Sequence, residues 1–256
     1  MTGHQKLVEI VQALRGPNGC PWDKAQTFQS LTPYIIEEAY ELVDAIERHD
    51  REAIREELGD LLLHVVMMGL MAQEQSWFTL DDIASGVAEK MVRRHPHVFG
   101  NTKVGSVDDV WTNWEQIKKT EKEGSVLASI PRHFPALLQA EKIQKRVSRL
   151  GFDWAPADIR GPAEKVTEEL AELAAAANQN DSSQAEIEMG DVLFAAVNLG
   201  RKLNINAEES LRKSNQKFMR RFEWMEAEAM RQNQDLAALS PAAWETLWTH
   251  AKGAVG

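Results

Sequence analysis

Apolar positions recur at helical spacing along most of the chain. Ile35, Ala39, Leu42 and Ile46 fall on one face of a helix, and Thr32–Pro33 reads as an N-cap followed by proline at the first helical position. The polar break RHDRE follows, in which Asp50 can cap the next helix. That helix carries Ile54, Leu58, Leu61 and Val65 on one face. The pattern returns as Val166, Leu170, Leu173 and Ala177, a break at NQNDSS, then Ala185, Met189, Val192 and Ala196. Each pair predicts an αα-hairpin. No convincing series of strands accompanies them, so an all-α architecture is expected.

The two hairpins are copies. EEAYEL at 37–42 returns as EELAEL at 168–173, and ELGDLLLHVV at 57–66 returns as EMGDVLFAAV at 188–197. Both matches share one offset of 131 residues, without a gap. KMVRR (90–94) resembles KFMRR (217–221), WEQIK (114–118) resembles WTHAK (248–252), and GCPWD (19–23) faces GFDW (151–154). A period this long predicts a duplicated domain rather than a solenoid. The expected organisation is two tandem homologous helical domains, 1–122 and 136–256. The expected linker is 123–135, which contains Gly124, Pro131 and Pro135.

The repeated carboxylates sit beside the apolar stripes. At about 100° per residue, Glu38 and Glu41 flank the first stripe at about the angles at which Glu57 and Asp60 flank the second. Antiparallel packing of the two helices can bring these four groups together. A solvated helix flank is the bland alternative. Against it stands the recurrence of Glu37, Glu38, Glu41, Glu57 and Asp60 as Glu168, Glu169, Glu172, Glu188 and Asp191, where most neighbouring positions differ. Clustered carboxylates repel one another unless protons or metal ions occupy them. Oxygen donors without sulfur suit Mg²⁺, or Mn²⁺. Gly59 recurs as Gly190, and a glycine inside a helix suggests close helix packing. His64 faces Ala195 in the second copy, so it is expected to be a peripheral or core histidine. His95 and His97 have no counterparts after Arg221.

Charge narrows the field of ligands. The chain has 39 acidic and 29 basic residues, a net charge of −10, which argues against nucleic-acid partners. No apolar run approaches a membrane span. Cys20 is the single cysteine, so no intrachain disulfide forms, and a reducing, cytoplasmic setting is expected. An anionic ligand would then need a cation or a local basic cluster. Lys90, Arg93 and Arg94, and their partners Lys217, Arg220 and Arg221, suit phosphate oxygens, although a basic helix end also balances the macrodipole. Trp114 and Trp248 can stack on a base or serve the core, with Lys118 and Lys252 one turn further on. There is no GxxxxGK[ST] loop.

The pattern Glu-Glu-x-x-Glu, a spacer of 15 residues (42–56 and again 173–187), then Glu-x-x-Asp resembles the MazG nucleoside triphosphate pyrophosphohydrolases. GCPWD and RRHPHVFG resemble the N-terminal domain of the two-domain members. The resemblance implies an all-α NTP pyrophosphatase fold, Mg²⁺ dependence, a homodimer, and hydrolysis of nucleoside triphosphates to monophosphate and pyrophosphate, with a nucleotide-housecleaning role. It further implies water attack at the α-phosphorus. Glu38, Glu41, Glu57 and Asp60, with Glu169, Glu172, Glu188 and Asp191, would be metal ligands. Glu37 or Glu168 would be general base or outer-shell group. Lys217, Arg221 and Lys252 would hold phosphates, with Trp248 near the base. The C-terminal site is expected to dominate. An enzyme narrowed to one nucleotide and a non-catalytic nucleotide-binding module are the alternatives.

Overall fold

The computed structural model describes residues 2–107, 109–110, 113–114, 117, 125–128 and 130–256. The chain divides into two compact units, Met1–Lys122 and Glu123–Gly256. Among the described residues all regular secondary structure is helical. The first unit contains α1 (Gly3–Arg15), α2 (Pro21–Ala25), α3 (Phe28–Glu47), α4 (Arg51–Glu74), α5 (Leu80–Arg94) and α6 (Pro96–Phe99). The second contains α7 (Ala136–Ser148), α8 (Arg160–Asn178), α9 (Ser182–Lys202), α10 (Ala207–Arg231), a 3₁₀ turn (Leu236–Ala238) and α11 (Pro241–Val255).

The hairpins α3–α4 and α8–α9 share one turn. His49 and Asn180, 131 residues apart, both have φ of 55°. The next N–H, of Asp50 or Asp181, donates to the carbonyl of the buried Ala45 or Ala176 at 3.1 Å. Asp50 then caps α4 by accepting from the N–H groups of Glu52 and Ala53, and Asp181 caps α9 by accepting from Gln184. A left-handed residue closing one helix and an aspartate opening the next make the reversal tight.

The start of α3 differs from the sequence expectation. The helix begins one and a half turns before Pro33, because Thr27 and Ser30 form a reciprocal capping box. Pro33 lies inside the helix, where it removes one backbone donor. The Thr32 hydroxyl donates to the Phe28 carbonyl at 3.1 Å.

The buried face also differs. The core of the first unit is Val11, Leu31, Val66, Met67, Leu70 and Met71, with Leu7, Val8, Phe28, Ile35, Leu63, Met68 and Leu80 packed around it. Ala39 and Ile46 of the first expected stripe are exposed, as are Leu58 and Val65 of the second. In the second unit Leu170, Ala177, Met189 and Ala196 are likewise exposed. These helices are apolar on more than one face, so periodicity alone does not choose the inner one. Each hairpin also carries exposed apolar side chains: Ile36, Tyr40, Val43, Leu58, Leu62 and Val65 in the first; Leu170, Ile187, Met189, Leu193 and Phe194 in the second.

Glycine packing is corrected as well. A Cβ added at Gly59 or Gly190 would meet nothing within 4 Å, whereas one at Gly69 would lie 2.3 Å from a Leu80 methyl. The close approach in the first unit is therefore between α4 and α5 at Gly69. The core at the end of the second unit is Met225, Leu247 and Ala251, flanked by Phe222, Trp224, Leu236, Leu239, Trp244 and Trp248. It joins α10 to α11 and places the second KxxRR element on an uninterrupted helix. In the first unit α5 stops at Arg94 and Pro96 opens α6.

Candidate active site: two carboxylate clusters

Helix α3 projects Glu38 and Glu41 one turn apart, and α4 brings Glu57 against them. One oxygen from each lies within 4.8 Å of the others. Helices α8 and α9 repeat this with Glu169, Glu172 and Glu188 under the same limit. Among the described residues these are the two groups able to offer three such ligand atoms. Asp60 and Asp191, expected as fourth ligands, stand outside both groups. Each lies one turn along its helix from the clustered glutamate and has a side chain one methylene shorter. Asp60 is near enough for its charge to act on Glu57, and Asp191 is exposed. Glu37 and Glu168 are exposed and also lie outside the three-oxygen groups.

The carboxylates act on one another. Burial, then the charges of Glu41 and Glu38, then Glu56 and Asp60, push Glu57 above the ordinary range. Burial, Glu188 and Glu169 push Glu172 up in the second unit, while Lys165 opposes the rise. One carboxyl pushed up by its neighbours in each cluster marks a place that favours a cation.

The basic and aromatic residues converge in part. Arg221 Cζ stands 5.7 Å from the centre of the Trp248 ring, and Lys252 Nζ also stands 5.7 Å from it. Phe218 packs on the same ring. In the first unit Arg94 Cζ lies 5.2 Å from the Trp114 ring, whose edge contacts His95 at 4.9 Å between centroids. The structure thus builds one Arg–Trp pair from each repeat. Lys217 and Arg220 are exposed on α10, Lys90 is half-buried and Arg93 exposed on α5. Lys118 lies outside the described residues.

The MazG nucleotide pyrophosphohydrolase domain matches twice, at residues 26–99 and 162–225. The nucleoside triphosphate pyrophosphohydrolase of Escherichia coli K12 is 44% identical over 255 residues, covering 96% of each chain. The nucleoside triphosphate pyrophosphohydrolase/pyrophosphatase MazG of Thermotoga maritima is 42% identical over 252 residues, covering 97% of this chain and 95% of its own. The uncharacterized protein YabN of Bacillus subtilis is 46% identical over 246 residues, covering 95% of this chain and 50% of its own.

The chain belongs to the MazG family. Each matched MazG segment holds one carboxylate cluster and one KxxRR element, and stops before the corresponding tryptophan.

Sequence reasoning missed three residues beside the MazG clusters. Lys165 Nζ lies 2.6 Å from Glu169 and 3.0 Å from Glu168. The pairing holds the lysine charged well above its ordinary range, through its hydrogen bonds to Glu169 and then Glu168. Gln184 Nε2 donates to Glu188 at 2.5 Å. Their counterparts are Tyr34 and Ala53. In the first unit His64 Nε2 instead lies 3.7 Å from Glu38, and its Nδ1 is buried without a hydrogen-bond partner. The histidine expected in a peripheral or core role therefore borders the first cluster. Lys165 was visible in the spacing, since it stands three and four residues before Glu168 and Glu169.

Proposed function

We propose that this MazG-family chain hydrolyses nucleoside triphosphates to the monophosphate and pyrophosphate. The reaction would depend on Mg²⁺ or Mn²⁺, take a broad range of substrates, and clear unwanted nucleotides from the cytoplasm. The observation that carries the reading is the duplicated three-glutamate cluster, with one raised carboxyl in each copy. Its all-oxygen donor set fits a hard divalent ion. Glu38, Glu41, Glu57 and Asp60 would hold it in the first unit, and Glu169, Glu172, Glu188 and Asp191 in the second. Such an ion supplies charge neutralisation at the phosphates and a more acidic water.

The remaining work falls to the protein. Glu168, or Glu37 in the first unit, accepts a proton from the attacking water. The water adds at the α-phosphorus and the bond to the β-phosphoryl oxygen breaks, leaving monophosphate and pyrophosphate. Lys217, Arg220, Arg221 and Lys252 hold the phosphate oxygens, with Lys90, Arg93, Arg94 and Lys118 as their first-unit equivalents. Trp248, or Trp114, offers its face to the base. The exposed apolar side chains of each hairpin support a homodimer packed through these helices.

Phosphorus NMR of a nucleotide panel in ¹⁸O-water with Mg²⁺ tests this. The expected result is monophosphate carrying the label, together with pyrophosphate, and no turnover in EDTA. Diphosphate plus orthophosphate as first products, or full turnover in EDTA, would overturn the reading.

A further inference from the structure

The two clusters have the same three glutamates and opposite surroundings. In the second unit Glu169 and Glu188 are 5% and 9% exposed. Carboxylates this buried and this close are costly without a counter-charge, and Lys165 supplies one. Its ammonium sits 2.6 Å from the very Glu169 that belongs to the three-oxygen group. In the first unit the position three and four residues before the glutamate pair is Tyr34, whose ring packs on Trp22 and His64 instead. The Glu38 side chain there is 20% exposed, and the basic side chain recorded beside it among the described residues is His64, at 3.7 Å.

We propose that Lys165 is a tethered cation that fills the second carboxylate cluster in the absence of metal and must leave Glu169 before a divalent ion can bind there. This rests on the metal reading above and extends it to the free protein. An ammonium and a divalent ion on one carboxylate would repel each other at contact distance. The lysine stem is long and flexible, and Lys165 Nζ is on the half-exposed side of α8, with 39% side-chain exposure, so it has solvent to swing into. The consequence is a difference in metal affinity built into a duplicated frame. The second cluster stays assembled without metal but makes the ion compete with Lys165, whereas the first, among the described residues, offers its oxygens with no lysine in the way.

Mn²⁺ binding to the full chain, read from the free-ion electron paramagnetic resonance signal, tests this without any turnover. In an E41Q/E57Q background, which leaves the second cluster to bind, K165M should tighten Mn²⁺ binding by about tenfold, the scale of groups that partner metal ligands. A damaged fold would weaken binding, so a gain separates competition from a structural role. The reverse graft, Y34K in an E172Q/E188Q background, sits at an exposed position of α3 and should weaken Mn²⁺ binding by a similar factor. Clear binding with unchanged or weaker affinity in K165M overturns the inference alone. Should K165M fail to fold by circular dichroism, unchanged affinity in Y34K overturns it. Absence of Mn²⁺ binding in the wild type overturns the metal reading and the inference together.

Discussion

The first and second carboxylate clusters show how the surroundings of a duplicated cluster diverge while its glutamates do not. Both draw two glutamates from one helix of a hairpin and one from the other. Around them, Tyr34, Ala53 and His64 in the first unit stand where Lys165, Gln184 and Ala195 stand in the second. The second cluster is therefore more buried and held by hydrogen bonds from an ammonium and an amide. The basic elements diverge in the same direction. Arg221 rides on the unbroken helix α10 and meets Trp248 together with Lys252. Arg94 is the last residue of α5, directly before His95 and Pro96. A clamp fixed on a continuous helix loses less freedom when substrate binds. On the proposed reaction, this difference predicts catalysis mainly in the second unit, with the first as a weaker or regulatory copy.

The basic clamp provides the larger of two ways to break this comparison. Arg221→Met and Trp248→Ala should each raise KM for a nucleoside triphosphate by about tenfold, the scale of one charge-assisted or stacking contact. Arg94→Met should change it by less than about threefold under the same logic. Steady-state kinetics decides, and equal effects in both units would remove the asymmetry. A smaller effect concerns the unpacked helix glycines. Since a Cβ at Gly190 meets nothing within the chain, Gly190→Ala should stabilise the protein by about 1 kcal/mol through helix propensity. Thermal unfolding reads the gain. Light scattering beside it reads assembly: a lost dimer would show that a second copy packs against that surface.

Much of this arrangement was legible in the amino-acid order. The repeat placed the two hairpins and all six clustered glutamates, and Asp50 was read as a cap. It did so because charges beside a stripe that return at one offset carry more information than either copy alone. Other features escaped for physical reasons. Pro33 reads as a helix start, but the Thr27–Ser30 capping box satisfies the end donors earlier and the helix absorbs the proline. The stripes chosen on α3 and α4 were among several apolar faces, and the choice between them is made by α1, through Val11, Leu7 and Val8. His64 was set aside because it has no counterpart, yet unmatched residues are the ones that make two copies differ.

The most direct test of the central claim is pyrophosphate release with Mg²⁺ by Glu188→Gln and Glu57→Gln, each in the full chain. Both substitutions remove one clustered carboxylate and keep its volume. Glu188→Gln should lower kcat by about a hundredfold or more, as the loss of a group acting on the reacting phosphates does, while Glu57→Gln should stay within about threefold of wild type. A larger loss in Glu57→Gln would place the reaction in the first unit and contradict the assignment, and unimpaired turnover in both would place it outside the carboxylate clusters.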